Sequence, residues 1–224
     1  MTKNKLHICL VPMAEADPFL GPQLGYDVQV LAAEATIGDY LAELEAFQAE
    51  TLADCKGCDG CCQERAPLTF YDLSLAHTAP AELAHWLAAW GEPGFFGPAL
   101  DIRLRRLTKG PDQGCCQFLD SQERCCRIHE RRSFTCRTHC CLPKSERAEE
   151  LRAALINAGE DELIRRLLGL PEAERPWPEQ LAACQIADYP ASALSGIGFD
   201  AWPGVRLLDM LNKELWQKLC QNQT

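Results

Sequence analysis

Apolar residues recur at helical spacing along residues 31–53. Ile37, Leu41, Leu44 and Phe47 fall on one stripe, and the glutamates of this stretch lie off it. Residues three and four positions apart share one face of an α-helix. The pattern therefore predicts an amphipathic helix over 31–53, which runs directly into a group of cysteines.

Similar apolar patterns predict helices further along the chain. Two short helices are expected over 70–77 and 81–90. Past Ser145 the leucine spacing predicts either two amphipathic helices or one helix bent near Gly159. A last helix is expected over 204–220.

Segments rich in proline and glycine predict the connections. Residues 14–30 and 91–98 have this composition, and we expect loops there. Apolar residues among arginines predict a short edge strand over 101–107, and residues 6–13 predict a short strand or an arm laid on the core. The expected fold class is mainly α, with few or no short strands and an irregular, metal-nucleated, cysteine-rich core.

Eleven of the fourteen cysteines lie in two blocks between residues 55 and 141. The first block reads Cys55-Lys-Gly-Cys58-Asp-Gly-Cys61-Cys62. The second block contains Cys115-Cys116, Cys125-Cys126, Cys136 and Cys140-Cys141. A Cys-x-x-Cys turn can direct both sulfurs at one centre, and glycines allow the tight backbone that such a turn needs. The pattern indicates metal ligands rather than isolated buried thiols.

The charge of the chain limits its partners. The net charge is −10, which argues against general binding of nucleic acid or anionic membranes. Residues 101–147 differ, with eleven Lys and Arg against six Asp and Glu. These cations could offset the negative charge of metal-bound thiolates, or they could form an ordinary solvated face.

The expected compartment determines how the cysteines are interpreted. Residues 6–13 are too short and too polar for a signal peptide, and no stretch approaches the ~20 apolar residues of a membrane span. We therefore expect the reducing cytoplasm, where cysteines serve metal or redox chemistry and not disulfides. The isolated Cys9, Cys184 and Cys220 are expected in the core.

The two blocks resemble the YkgJ-type cysteine-cluster family, described as zinc- or iron-chelating domains with the signature CxxCxxCC. The first block matches that signature, and Pro67-Leu-Thr69 with Asp72 is similar to the family's P-L-T-x-x-D element. Cys116–Asp120 and Cys136–Arg137 fit its C-x-F-L and C-R elements. Cys126–Arg132 is similar to its C-x-I-Y-x-x-R-P element, with His129 in place of the usual Tyr and Ser133 in place of the usual Pro. The resemblance covers residues 50–142 and implies metal binding.

The spacing and the resemblance together give one set of expected ligands. They are Cys55, Cys58, Cys61, Cys62, Cys116, Cys126 and Cys136. The cysteines outside the family pattern (Cys115, Cys125, Cys140 and Cys141) leave open whether the chain has one centre or two. His129 and His139 could complete a mixed site or could be ordinary surface histidines.

We expect the two blocks to share one site. The sulfurs of the adjacent Cys61 and Cys62 should diverge, so one of them would not join Cys55 and Cys58 at the same ion. The first block would then need a ligand from the second. The expected domains are an N-terminal arm over 1–30, a cysteine-cluster domain over 31–142 and a C-terminal helical segment over 143–224 packed on it.

Three functions fit the sequence. The first is a protein that holds an iron–sulfur cluster, most simply [4Fe–4S], in an electron-transfer or metal-handling role. The second is a structural zinc module that binds a protein partner. The third is an enzyme, because some flagellin lysine methylases share the cysteine signature. No phosphate-binding glycine loop or nucleophile elbow is present, so no catalytic residue is predicted.

Overall fold

The computed structural model describes residues 4–13, 23–52, 57, 59–76, 80–97, 99–110 and 112–221. Helices make up 46% of this described part and strands 18%. The prediction of a mainly α fold with few or no short strands is wrong, because two of the strands have seven residues each and small antiparallel sheets recur along the chain.

The described strands form antiparallel pairs. They are β1 (Leu6–Pro12) with β2 (Leu24–Val30), β3 (Gly91–Phe96) with β4 (Ala99–Leu104), and β5 (Leu119–Asp120) with β6 (Cys125–Cys126).

Helices connect and cover these pairs. The described α-helices are α1 (Ile37–Thr51), α2 (Gly60–Gln63), α3 (Pro80–Trp90), α4 (Phe134–Arg137), α5 (Glu146–Leu168), α6 (Pro178–Ala182), α7 (Leu207–Met210) and α8 (Lys213–Cys220). The 3-10 helices are Phe70–Ala76, His129–Arg131, Glu172–Glu174, Ile186–Asp188 and Trp202–Gly204.

The chain divides into two compact units. Unit 1 comprises Met1–Ala53, Arg137–Asn157 and Ser192–Thr224, and unit 2 comprises Asp54–Cys136 and Ala158–Ala191. Each unit combines segments that are distant in sequence.

The β1–β2 hairpin of unit 1 replaces part of the loop expected over 14–30. Tyr26, Val28 and Val30 recur at a spacing of two and are buried on one face of β2. The sequence analysis predicted a loop here because prolines and glycines lie next to this short alternation. Residues 14–22 of the expected loop lie outside the described residues.

Helix α1 begins later than the apolar pattern predicted, because its first turn has a specific cap. Thr36 Oγ1 accepts a hydrogen bond from Asp39 N at 3.1 Å, and Asp39 Oδ2 accepts one from Thr36 N at 2.8 Å. This reciprocal capping box fixes the first helical residue at Ile37 and not at residue 31.

The expected C-terminal helix is divided in two. The helix predicted over 204–220 breaks at Leu211 and Asn212, between α7 and α8. The Asn212 side-chain oxygen accepts a hydrogen bond from Leu215 N at 2.9 Å and so begins a new helix.

The β3–β4 pair of unit 2 corrects the second predicted loop. Residues 91–98 contain proline and glycine, yet Gly91–Phe96 pairs with β4, and Pro93 lies opposite Ile102. A proline can occupy a strand that is paired on one side only. The strand expected over 101–107 overlaps β4, which spans Ala99–Leu104.

Unit 2 also has an ordinary apolar core. The expected fold class included an irregular core nucleated by metal, and this part of the prediction is wrong as well. The large side chains buried in this core include Leu68, Phe70, Tyr71, Leu87, Leu100, Ile102, Leu104, Leu119, Phe134, Leu163, Ile164 and Leu167. Full burial of one such side chain stabilises a fold by about 1.5–3 kcal/mol. Burial on this scale gives unit 2 a core without metal.

At Gly159, α5 lies against Thr69 and against Tyr71 in the 3-10 helix Phe70–Ala76. A Cβ added at Gly159 would lie 2.6 Å from Tyr71 Cε2 and 2.9 Å from Thr69 Cβ. The absence of a side chain therefore lets the helix pack closely against this turn, and α5 passes Gly159 as one helix.

We predict that Gly159→Ala destabilises the protein by up to about 2 kcal/mol. Alanine gains about 1 kcal/mol of helix propensity over glycine, but overpacking a tight contact costs about 1–3 kcal/mol. Urea denaturation should show a lower midpoint for Gly159→Ala. The exposed Asn157→Ala in the same helix is the control and should be neutral or slightly stabilising. A Gly159→Ala protein as stable as the wild type would contradict the close contact.

Candidate functional site

Five of the seven predicted ligand cysteines line one cavity in unit 2. They come from both cysteine blocks and are Cys61, Cys62, Cys116, Cys126 and Cys136. The other two predicted ligands, Cys55 and Cys58, lie outside the described residues.

The remainder of the cavity wall is mixed in character. It is formed by Glu64, Ala66, Leu104, Arg106, Phe118, Ile128, Arg132 and Ser133. The cavity has a volume of about 20 Å³, close to the space that one water molecule occupies. Its chemistry is that of soft sulfur donors beside apolar side chains, two guanidinium groups and the Glu64 carboxylate.

The first block enters the cavity on a single helical turn. Cys62 N donates to Asp59 O at 2.9 Å and closes α2. In a helical turn adjacent side chains are about 100° apart and do not point in opposite directions. Both Cys61 and Cys62 line the cavity, so the expected divergence of their sulfurs does not remove either residue from its wall.

The second block is attached to the first by a main-chain hydrogen bond. Cys116 N donates to Cys62 O at 2.8 Å, so the two cysteines are held together by backbone atoms alone. An ion pair between Arg124 and Asp59 adds a second connection. The blocks thus meet through protein contacts that need no metal.

Two of the three vicinal pairs of the second block send one cysteine each into the cavity wall. Cys116 and Cys126 line the cavity, whereas Cys115 and Cys125 do not. Cys126 lies opposite Leu119 in the β5–β6 pair, and alternation along a strand separates its side chain from that of Cys125.

Other candidates from the sequence lie elsewhere. Cys140 is buried and Cys141 exposed, and both belong to unit 1. His129 is exposed and does not line the cavity, and His139 belongs to unit 1. Among the isolated cysteines expected in the core, Cys220 is exposed.

Cys61 and Cys62 are electrostatically unequal. A hydrogen bond from the Cys62 thiol stabilises the Cys61 thiolate and lowers the pKa of Cys61 to about 6 in spite of burial, with a further contribution from Arg132. The same hydrogen bond, followed by burial and nearby thiols, raises the pKa of Cys62 well above its usual range. The hydrogen bond therefore favours the thiolate on Cys61 and the protonated thiol on Cys62.

The remaining cavity thiols are kept neutral by burial. Burial is the main cause that raises the pKa of Cys116 and Cys126, and it raises the pKa of Cys136 to about 12. Negative charge on Cys61 contributes to the raised pKa of all three. Ionisation of these thiols together requires a compensating cation.

Two arginines of the basic segment form part of the cavity wall. Arg106 Nη1 donates to Gly114 O at 2.7 Å, and Arg132 Nε donates to His129 O at 2.9 Å. Main-chain carbonyls thus hold each guanidinium in place beside the sulfurs. The composition of the segment suggested this role, but it did not identify which of its arginines would reach the site.

The cavity thiols do not converge on one point. Among the described residues, no three His, Cys, Asp or Glu side chains are arranged to hold a metal ion. The sulfurs line a common wall without meeting at the distances that direct coordination to one ion would require.

Comparison with protein-family models, curated proteins and solved structures finds no match. The resemblance to the YkgJ-type family therefore rests on the sequence motifs alone. In the part of the chain that the structure describes, no helix combines the length and apolar character needed to cross a membrane.

We predict that Cys61 is the first cavity thiol to react with iodoacetamide in chelator-treated protein. Its pKa near 6 means that the thiolate forms as the pH rises through about 6, whereas Cys136 stays protonated to about pH 12. Alkylation mapped by mass spectrometry should show a Cys61 rate that rises between pH 5 and pH 7, about one unit either side of its pKa.

The variant Cys62→Ala removes the donor and provides the control. In this variant the midpoint of Cys61 alkylation should move upward, towards the ordinary value for a thiol. An unchanged midpoint would show that the hydrogen bond between the two thiols is not the cause of the low pKa.

Proposed function

We propose that the protein binds a soft metal centre through thiolates of both cysteine blocks. The observation that carries the proposal is that Cys61, Cys62, Cys116, Cys126 and Cys136 line a single cavity. Sulfur donors select zinc, copper(I) or iron–sulfur clusters over hard cations such as magnesium and calcium. The donor set thus fits the group that the cysteine motifs imply.

The charges around the cavity support the same proposal. A centre with four thiolates carries net negative charge, and Arg106 and Arg132 in the wall would compensate for it. The raised pKa of the buried thiols supports a second expectation, which concerns the pH dependence of metal binding. Metal binding would release their protons, so affinity should increase with pH.

An iron–sulfur cluster is our first candidate for the centre. A cluster presents several iron atoms, so its thiolate ligands need not meet at one point. The cavity wall offers five cysteines from both blocks as thiolate ligands of this kind. The cavity walls would have to move apart to admit it. In this reading the protein transfers electrons or handles metal, and we expect it in the reducing cytoplasm.

A zinc centre is the second candidate. A space of about 20 Å³ is near that of one water-sized atom. The sulfurs would then have to close around the ion. A structural zinc site of this kind would stabilise unit 2 and leave the acidic helices for a protein partner.

We predict that Cys116→Ser and Cys126→Ser weaken metal affinity by more than about tenfold, since even changes outside a ligand set cost about 10–100-fold. Their neighbours supply matched controls, because Cys115→Ser and Cys125→Ser alter adjacent thiols that do not line the cavity. Metal per chain, measured on protein purified without air, should fall only in the first pair. Equal loss in both pairs would contradict the proposed ligand set.

We predict that protein purified without air has the broad visible absorption of an iron–sulfur cluster and contains iron and sulfide in equal amounts. A colourless protein with one equivalent of zinc would replace the first candidate by the second. A full-length protein that retains neither metal would contradict the proposal in both forms.

A further inference from the structure

We infer that Asp72 is a positioning residue that holds Cys136 in the cavity wall. It lies 64 positions before Cys136 in the sequence, and Asp72 itself does not line the cavity. The inference rests on the proposed function only in so far as Cys136 is a ligand.

The Asp72 carboxylate is buried and divides its two oxygens between two segments. Oδ2 accepts hydrogen bonds from Thr69 N at 2.8 Å and from Thr69 Oγ1 at 2.9 Å. Oδ1 accepts a hydrogen bond from Phe134 N at 2.6 Å. One side chain therefore joins the turn at 69–72 to the first residue of α4.

This bond fixes where α4 begins. The first amide groups of a helix have no partner within the helix, and Asp72 Oδ1 satisfies the amide of Phe134 from a distant segment. Cys136 follows two residues later on the same turn and lines the cavity. A shift or rotation of α4 would therefore displace the Cys136 sulfur.

Neighbouring contacts make the anchor rigid. Thr135 Oγ1 donates to Pro67 O at 2.8 Å, and the rings of Tyr71 and Phe134 lie 4.1 Å apart between centroids. Gly159 of α5 packs closely against Tyr71 from another side. Two hydrogen bonds and one ring contact thus attach α4 to the segment 67–72.

A carboxylate is required here because both oxygens must accept. An asparagine has nearly the same shape but only one oxygen. Either orientation of its amide would turn an N–H donor towards the amide of Thr69 or of Phe134. Asp72→Asn should therefore free one side of the link while changing the volume of the site very little.

The test measures thiol labelling of the full chain, residue by residue, after chelation. Asp72→Asn should raise the labelling rate of Cys136 by at least about tenfold, a factor that corresponds to 1.4 kcal/mol of local opening. The increase should persist at low urea concentrations that leave the rest of the chain folded. Labelling of Cys184 should stay at the wild-type rate.

Tyr189→Phe is the matched control. Leu100 N donates to Tyr189 Oη at 3.0 Å in the same unit, so this variant also loses a partner for a buried amide. It does not touch α4. If Tyr189→Phe and Asp72→Asn accelerate Cys136 labelling equally, Asp72 contributes only to the overall stability of the fold. That result would overturn the inference. No acceleration in Asp72→Asn would overturn it as well.

A second variant keeps the test decisive if Asp72→Asn does not fold. Thr69→Val removes the hydrogen bond that Thr69 Oγ1 donates to Asp72 Oδ2 and preserves the side-chain shape. It should also raise Cys136 labelling selectively, and wild-type rates would contradict the inference.

A measurement of metal binding by the same variants then distinguishes failure of this inference from failure of the proposed function. With iron and sulfide or with zinc, Asp72→Asn should bind more weakly than Tyr189→Phe, and an equal affinity would overturn the role of Asp72 at the site. Failure of the wild-type chain to bind metal would defeat the proposed function. The labelling arm would still decide whether Asp72 positions Cys136.

Discussion

The site depends on burying several thiols beside one another without ionising them together. Cys61 is held as a thiolate by the hydrogen bond from Cys62, and its charge adds to the burial that keeps Cys116, Cys126 and Cys136 protonated. A thiol group of this kind is poised for a cation, because a bound metal ion compensates the charge of each proton that leaves. The same burial that keeps the thiols protonated would therefore make their ionisation depend on the proposed metal centre.

Main-chain hydrogen bonds, an ion pair and a buried carboxylate connect the segments that carry these thiols. Cys116 is bonded to Cys62 through the backbone, and Arg124 pairs with Asp59 across the two blocks. The buried carboxylate of Asp72 attaches the third cysteine-bearing segment to the turn at 69–72. The apolar core of unit 2 supports all three connections.

The sequence predicted the parts of the structure that have a long period or a strong local signal. The helical stripe of α1 and the helices at Pro80–Trp90 and past Ser145 are examples. The hairpins were missed because their strands are short and contain or adjoin proline and glycine, as in Gly91–Phe96. Their pairing is set by distant partners such as Ile102, which local propensity does not contain.

The site shows the same division between local and distant information. The motif separated Cys116 and Cys126 from their neighbours Cys115 and Cys125, and the structure places the same two in the cavity wall. The relation of Cys61 to Cys62 was not predictable by alternation, because a four-residue helical turn carries them. Nor could composition select Arg106 and Arg132, since each is held by a carbonyl from its own loop.

The central claim is that thiolates of both blocks bind one soft metal centre. X-ray absorption of the metal that copurifies with the full chain tests it most directly, because the spectrum reports the donor atoms around that metal. The account predicts a shell of sulfur neighbours at about 2.3 Å, with iron neighbours beyond it if the centre is a cluster. A shell made only of nitrogen and oxygen, or a protein without stoichiometric metal, would contradict it.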